Sequence, residues 1–287
     1  MTSEAMPHPS PVAAAMSLCR REIVRFLRQR NRIIGAIGQP IIFWLLFGTG
    51  LSGVFKASGQ GGGDESFTVY FFPGTLLLIV LFTAIFATIS IIEDRNEGFL
   101  QSVLVSPIPR WSMVLGKVLG GTILAVGQAM LFLLLSFFVG ITLSVGQFLA
   151  IFAILVVAAV GLTSLGFWLA WRMDSTQGFH AVMNLLLMPM WLLSGAFFPI
   201  PANDAITSTG QWVLSWVMTL NPVTYALGAI RRIMHAETAP SFLGGEATGD
   251  YWLPGVGLGV TITVLFAVVM FALACQAAKK TRRGDWI

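Results

Sequence analysis

Six long apolar runs constrain this chain more than any other feature, at about 33 to 55, 70 to 92, 112 to 140, 147 to 171, 179 to 200 and 252 to 275. A helix of roughly 20 mainly apolar residues crosses about 30 Å of hydrocarbon, and each run reaches that length. Charged residues make up only 10% of the 287, against about 25% in soluble domains, too few to keep six such segments in water. Barrel strands would alternate in segments of about ten residues, whereas these runs are continuous. The expected fold is an all-α membrane protein with six transmembrane helices.

Lysine and arginine placement predicts orientation. Arg20, Arg21, Arg25, Arg28, Arg30 and Arg32 precede the first run, and Arg95, Arg110 and Lys117 surround the connection between the second and third. Arg172 follows the fourth run, and Lys279, Lys280, Arg282 and Arg283 end the chain. All fall on one side, which predicts a multi-pass protein of the inner (plasma) membrane with both termini cytoplasmic. The net charge of +4 flanks membrane segments, so anionic lipid is the expected counterpart and nucleic acid is not. Cys19 and Cys275 lie on the same reducing side, where no disulfide is expected.

Residues 1–15 lack the basic start and apolar core of a secretory signal and read as a flexible N-terminus. From 16 to 32, Met16, Cys19, Ile23, Phe26 and Leu27 keep helical spacing on one face, and Arg21, Arg25, Arg28 and Arg32 on another. This predicts an amphipathic interfacial helix, ahead of a single transmembrane domain over 33–287. The glycine-rich stretch Ser58 to Ser66 reads as a flexible outward spacer. Between the fifth and sixth runs, Trp212, Val213, Trp216, Val217 and Leu220 repeat at helical spacing until Asn221 and Pro222 interrupt it. With a second helix from about Val223 to Met234, they predict an outward helical hairpin.

No Asp, Glu, Lys or Arg sits deep in a run; Lys117 and His180 fall near inner ends. Proton relays and ion paths use such residues, so proton-driven pumps and charge-selective channels lack their usual parts. The sequence carries no HExxH, no GxSxG and no Cys or His at metal-binding spacing, so no catalytic or metal site is expected. A phosphate loop is also missing, because Gly116-Lys117 is followed by Val118 and position 111 is Trp111. The chain is not expected to be an enzyme or to hydrolyse ATP by itself. GKVLG, Gly116 to Gly120, is a small-xxx-small pattern that lets helices approach closely.

EDRNEGFLQSVLVSPIPR, Glu93 to Arg110, is the charged stretch between the second and third runs. Its acidic start, Glu93, Asp94 and Glu97, favours a helix N-terminus; Leu100, Val103 and Leu104 form an apolar stripe; Ser106-Pro107 and Pro109 end it. The reading is a short amphipathic helix projecting into the cytoplasm, with an apolar face for a groove in another protein or for lipid.

An acidic residue, Arg95, a spacer, Glu97 and Gly98, followed by a Leu/Val helix, Ser-Pro, Arg110-Trp111 and Gly116-Lys117, resembles the corresponding segment of ABC type-2 exporter permeases. LLSGAFFPI (Leu192 to Ile200) and LNPVTYALGAIRR (Leu220 to Arg232) agree, and the resemblance runs from about Met16 through the rest of the chain. It implies a permease that dimerises with a second copy of itself and pairs with a separate ABC ATPase holding the ATP and Mg. No cofactor is implied for this chain. By position, Glu93, Asp94, Arg95, Glu97, Gly98, Leu104, Ser106 and Pro107 would couple to that ATPase, with Phe99 and Gln101 departing from the family's common threonine and acid. Phe197, Phe198, Trp212 and Trp216 would form an outward gate for an amphipathic or lipid-linked substrate such as a drug, antibiotic, glycolipid or polysaccharide. The alternatives are an ATP-independent lipid scramblase or channel, or a membrane scaffold that transports nothing.

Overall fold

The computed structural model describes residues 10–51, 67–197, 200–201, 206, 208–235 and 252–279. Among them every regular element is helical: α1 (Pro11–Arg28), α2 (Arg30–Gly50), α3 (Phe67–Ala87), α4 (Ser90–Asn96), α5 (Phe99–Val105), α6 (Arg110–Leu133), α7 (Val145–Ala170), α8 (Thr176–Trp191), α9 (Thr209–Leu220), α10 (Pro222–Met234) and α11 (Val256–Lys279). A 3-10 turn continues α6 to Val139, and a π turn continues α8 to Ala196. The spacer 58–66, Phe198 and the basic C-terminal residues 280–283 lie outside the described residues.

Among the described residues, five helical stretches are long and apolar enough to cross a membrane: Phe67–Asn96, Arg110–Val139, Val145–Ala170, Thr176–Ala196 and Val256–Lys279. They overlap the second to sixth expected runs. The first run falls on α2, a continuous helix that holds Pro40 in its interior. The hairpin helices α9 and α10 are bent by 79° at Asn221 and would count as a sixth span if taken together. Pro222 begins α10, and the Asn221 side chain accepts a hydrogen bond from the Val223 amide at 3.1 Å. The asparagine caps the second helix where proline prevents the first from continuing.

The bundle is built around α3. In the most apolar stretch of Phe67–Asn96, 83% of the residues are buried, against 22% for Val256–Lys279, so one helix is the axis and the other its outer wall. α3 packs against α2, α6, α7 and α8, while α11 packs on α7 and α10. The aromatic end of α3 is dense: Phe72 stacks on Phe132 at 4.8 Å, and Trp44 meets both edge-on at 5.6 Å.

α1 departs from its expected form. It starts at Pro11, not Met16, because proline's fixed φ suits a first helical position, and it ends at Arg28, so residues 30–32 belong to α2. Its buried face is Ala15, Leu18, Cys19, Glu22 and Phe26, whereas Met16 and Leu27, expected on the apolar stripe, are 57% and 58% exposed. That face packs on α6. Glycine makes the approach feasible: a Cβ on Gly116 would sit 2.6 Å from the Ala15 carbonyl, and one on Gly120 would sit 2.7 Å from the Glu22 Cβ. GKVLG is a helix-contact motif here, and its partner is α1.

Candidate functional site

Where α1, α4 and α6 meet, four carboxylates and three cations share one cluster, with Asp94, Glu22 and Lys117 buried at its centre. Lys117, between the two contact glycines, donates to Glu22 at 2.6 Å and to Ser90 at 3.2 Å, and closely contacts Asp94. Asp94 is fully buried. It accepts a bidentate pair from Arg21 at 2.9 and 2.7 Å and a third guanidinium bond from Arg25 at 2.7 Å. Arg25 also reaches Glu93 and Glu97, each at 3.0 Å. A buried carboxylate is tolerated only when paired and hydrogen-bonded, and Asp94 has three cations. Burial works against the Arg21 charge, but the hydrogen bond and charge of Asp94, with Glu22 and Glu97 behind it, outweigh burial and raise its pKa. Burial first, then the Glu22 charge, pushes the Cys19 thiol up as well.

The expected coupling residues therefore separate. Asp94 faces the interior, so it cannot touch another protein. Arg95 turns the other way, donating to the Met173 and Trp171 carbonyls at 2.9 and 3.0 Å, with Asp174 3.6 Å away. It ties α4 to the turn after α7. Glu97 is 59% exposed despite its bond to Arg25.

The acidic residues do not open the projecting helix. Glu93 and Asp94 belong to α4, and Gly98, at φ 77°, separates α4 from α5. That left-handed backbone suits glycine, and it redirects the chain so that α5 starts at Phe99 with no acidic residue in its first turn. The apolar stripe also faces inward: Leu100 is 3% exposed, and Val103 and Leu104 pack against the protein's own core. A seven-residue helix has little stability alone, so it spends its stripe on its own bundle. What α5 presents outward is Ser102, Val105 and Pro107, with Val105 70% exposed. Ser106 closes the helix by donating to the Val103 carbonyl at 2.6 Å. Phe99 lies beneath the Arg21 guanidinium, 3.6 Å from ring centre to carbon, joining α5 to the ion cluster.

Beside the cluster, a cavity of about 480 Å³ opens between α2, α3 and α8. Phe43, Phe82, Phe86 and Met188 supply apolar wall, and Gln39, Thr83, Thr176 and His180 supply polar atoms. Its end nearest the ion cluster is formed by Phe26, Gln29 and Glu93. No group of three or more His, Cys, Asp or Glu among the described residues could hold a metal ion.

The gate residues are not brought together. Phe197 belongs to a ring cluster with Phe47, Phe67 and Phe71, at centroid distances of 5.5, 6.0 and 5.7 Å. Trp212 and Trp216 instead form a half-exposed pair on α9, 5.9 Å apart, beside a separate cavity they share with Trp252.

Sequence reasoning missed Glu22, Arg21 as an Asp94 ligand, and the burial of Arg231. Glu22 carried a readable signal, since it falls three residues after Cys19 and four before Phe26, within a stripe of otherwise apolar residues. Arg231, expected in the outward hairpin, is 3% exposed. It donates to the Gly195 and Tyr70 carbonyls at 3.1 and 3.3 Å and lies 4.2 Å above the Tyr70 ring.

Comparison with known proteins gives matches over most of the chain. The family model described as ABC-2 type transporter matches residues 14–235. The putative transport permease ycf38 of Cyanophora paradoxa is 26% identical over 259 residues, covering 89% of this chain and 86% of that protein. The protein of the same name from Porphyra purpurea is 24% identical, covering 76% and 72%. The probable multidrug ABC transporter permease YbhR of Escherichia coli K12 is 24% identical over 142 residues, covering 49% of this chain and 39% of its own length.

Proposed function

The chain belongs to the ABC-2 type transporter family, and from that premise we propose that it is the permease half of an ATP-driven exporter, coupled through α5 to a separate ABC ATPase. It is a multi-pass membrane protein of transport-permease type. In the proposed arrangement the arginine-rich end, with α1, α4 and α5, faces the cytoplasm, and the hairpin α9–α10 faces outward. Two copies assemble with two ATPase subunits, which carry the ATP and Mg.

One observation carries the reading. A short helix with Ser102 and Val105 exposed, and Pro107 exposed just beyond it, is joined through the Phe99–Arg21 contact to an ion cluster that ties α1, α4 and α6 together. Force applied to α5 passes through the Phe99–Arg21 contact to α1, and from there through Asp94 to α4 and through Lys117 to α6. Asp94 and Arg95 act as fasteners rather than contact residues, while Glu97, Val105 and Pro107 meet the ATPase. The cavity between α2, α3 and α8 receives an amphipathic substrate from the cytoplasm or inner leaflet and releases it outward as the helices rock.

The test is co-purification of the tagged chain with an ATP-binding-cassette subunit of its own host, followed by ATP-dependent export in vesicles. Glu97→Lys sets a cation beside Arg25 on an exposed contact; its expected outcome is normal insertion with export reduced at least tenfold. Undiminished ATP-stimulated export by this variant and by Val105→Asp would refute coupling through α5. Transport of lipid by the purified chain without ATP would instead favour a scramblase.

A further inference from the structure

The cavity beside the ion cluster has an uneven charge. The paired groups are three cations, Arg21, Arg25 and Lys117, and four carboxylates, Glu22, Glu93, Asp94 and Glu97. Glu22 and Asp94 are taken up by Lys117 and the bidentate Arg21. Arg25 is left to serve Glu93 and Glu97 at equal distances of 3.0 Å while also bonding Asp94. Among the described residues, three cations are therefore paired with four carboxylates, which leaves one negative charge over.

That balance faces the cavity at Glu93. Glu97 lines a different groove, with Arg21, Arg25 and Arg28, whereas Glu93 is the carboxylate in the cavity wall, where no lysine or arginine appears among the described residues. The Glu93 Oε2 is buried and, beyond its ion pair with Arg25, has no hydrogen-bond donor. The same cavity wall carries the rings of Phe26, Phe43, Phe82 and Phe86, the last 5.0 Å from His180. Aromatic faces attract cations and repel anions, and a carboxylate under-supplied with counter-charge does the same at short range in a low-dielectric wall.

We propose that this cavity is a binding site for amphipathic organic cations, with Glu93 as counter-charge and the phenylalanine rings as walls. The assignment rests on the transport reading above and names its cargo class. A cation placed there supplies the charge that the cluster lacks, while its apolar groups fill a volume of about 480 Å³. An anionic or phosphate-bearing cargo would set a second negative charge beside Glu93, so the site discriminates by charge before shape. Glu93 is then a substrate residue at the edge of the coupling cluster rather than a surface contact for the ATPase.

Equilibrium binding to the full chain in detergent micelles tests this, with radiolabelled tetraphenylphosphonium, its isosteric anion tetraphenylborate, and protein-free micelles subtracted for each. Glu93→Gln should weaken tetraphenylphosphonium binding about tenfold, the loss of one charge-assisted contact, and leave tetraphenylborate unchanged or tighter. Glu93→Asp should retain the cation preference. An equal fall for both ions, or no change for the cation, overturns the proposal. In the unaltered chain, neutral triphenylphosphine oxide should displace tetraphenylphosphonium at least tenfold more weakly than methyltriphenylphosphonium does; equal displacement overturns it without any variant. A chain that couples to an ATPase but shows no charge preference loses this site and keeps the transport reading. One that prefers the cation but retains no ATPase does the reverse.

Discussion

The two ends of the molecule bury cations in opposite ways. At the arginine-rich end, Lys117 lies between the carboxylates of Glu22 and Asp94. At the hairpin end, Arg231 is as deeply buried but is held by two backbone carbonyls and the face of Tyr70. Formal charges facing one another make a junction whose members depend on each other, because removing one leaves its partners unpaired in a poor solvent for ions. Neutral acceptors lose only hydrogen bonds when the cation goes. The first arrangement suits a joint that must move as a unit; the second suits a clamp closing α10 over the start of α3 and the π turn after α8.

Asp94→Asn is the strongest way to break this comparison. It leaves Arg21, Arg25 and Lys117 without their shared carboxylate and should cost about 3–5 kcal/mol, the usual range for breaking a buried pair, read as a fall in thermal stability in detergent. Arg231→Met should cost less, about 1.5–3 kcal/mol for lost charged hydrogen bonds, since the methionine is itself comfortable in an apolar site and the Tyr70 hydroxyl still donates to Gly195 at 3.2 Å. A larger loss for Arg231→Met than for Asp94→Asn would reverse the contrast.

Gly98→Ala sharpens the inner side. Forcing a side chain into a left-handed backbone costs about 1–2 kcal/mol, so stability should fall modestly while protease sensitivity rises between Asn96 and Phe99. His235 gives the smallest effect. Burial, with the Arg231 charge adding to it, lowers its pKa from 6.5 to about 4. A lowered folded value means that the unfolded chain binds the proton first, so its contribution is complete above pH 6.5 and is lost as the pH falls towards about 4. Hydrogen exchange at α10 should rise over that window, and His235→Gln should flatten the rise.

Much of the helical layout was legible because it depends on local composition. Residues 171–175 separate α7 from α8, and Asn221-Pro222 splits the hairpin. The segment 93–107, expected as one helix, is two, because Gly98 turns the chain between the acidic residues and the Leu100 stripe. Its stripe was also turned the wrong way: amphipathic spacing identifies an apolar face without saying what will cover it. For the gate set, spacing along the chain likewise does not show that Phe197 sits among core rings while Trp212 and Trp216 sit on an exposed helix face.

By itself, the sequence determined that apolar helices of membrane length would form, roughly where each would break, and which family the charged segment belongs to. Tertiary structure alone decided which ionisable groups are buried and with whom. Arg21 meets Asp94 across 73 positions, and Glu22 meets Lys117 across 95. The free energy of a charge depends on the few groups within several ångströms of it, and helix packing, not position along the chain, selects those groups.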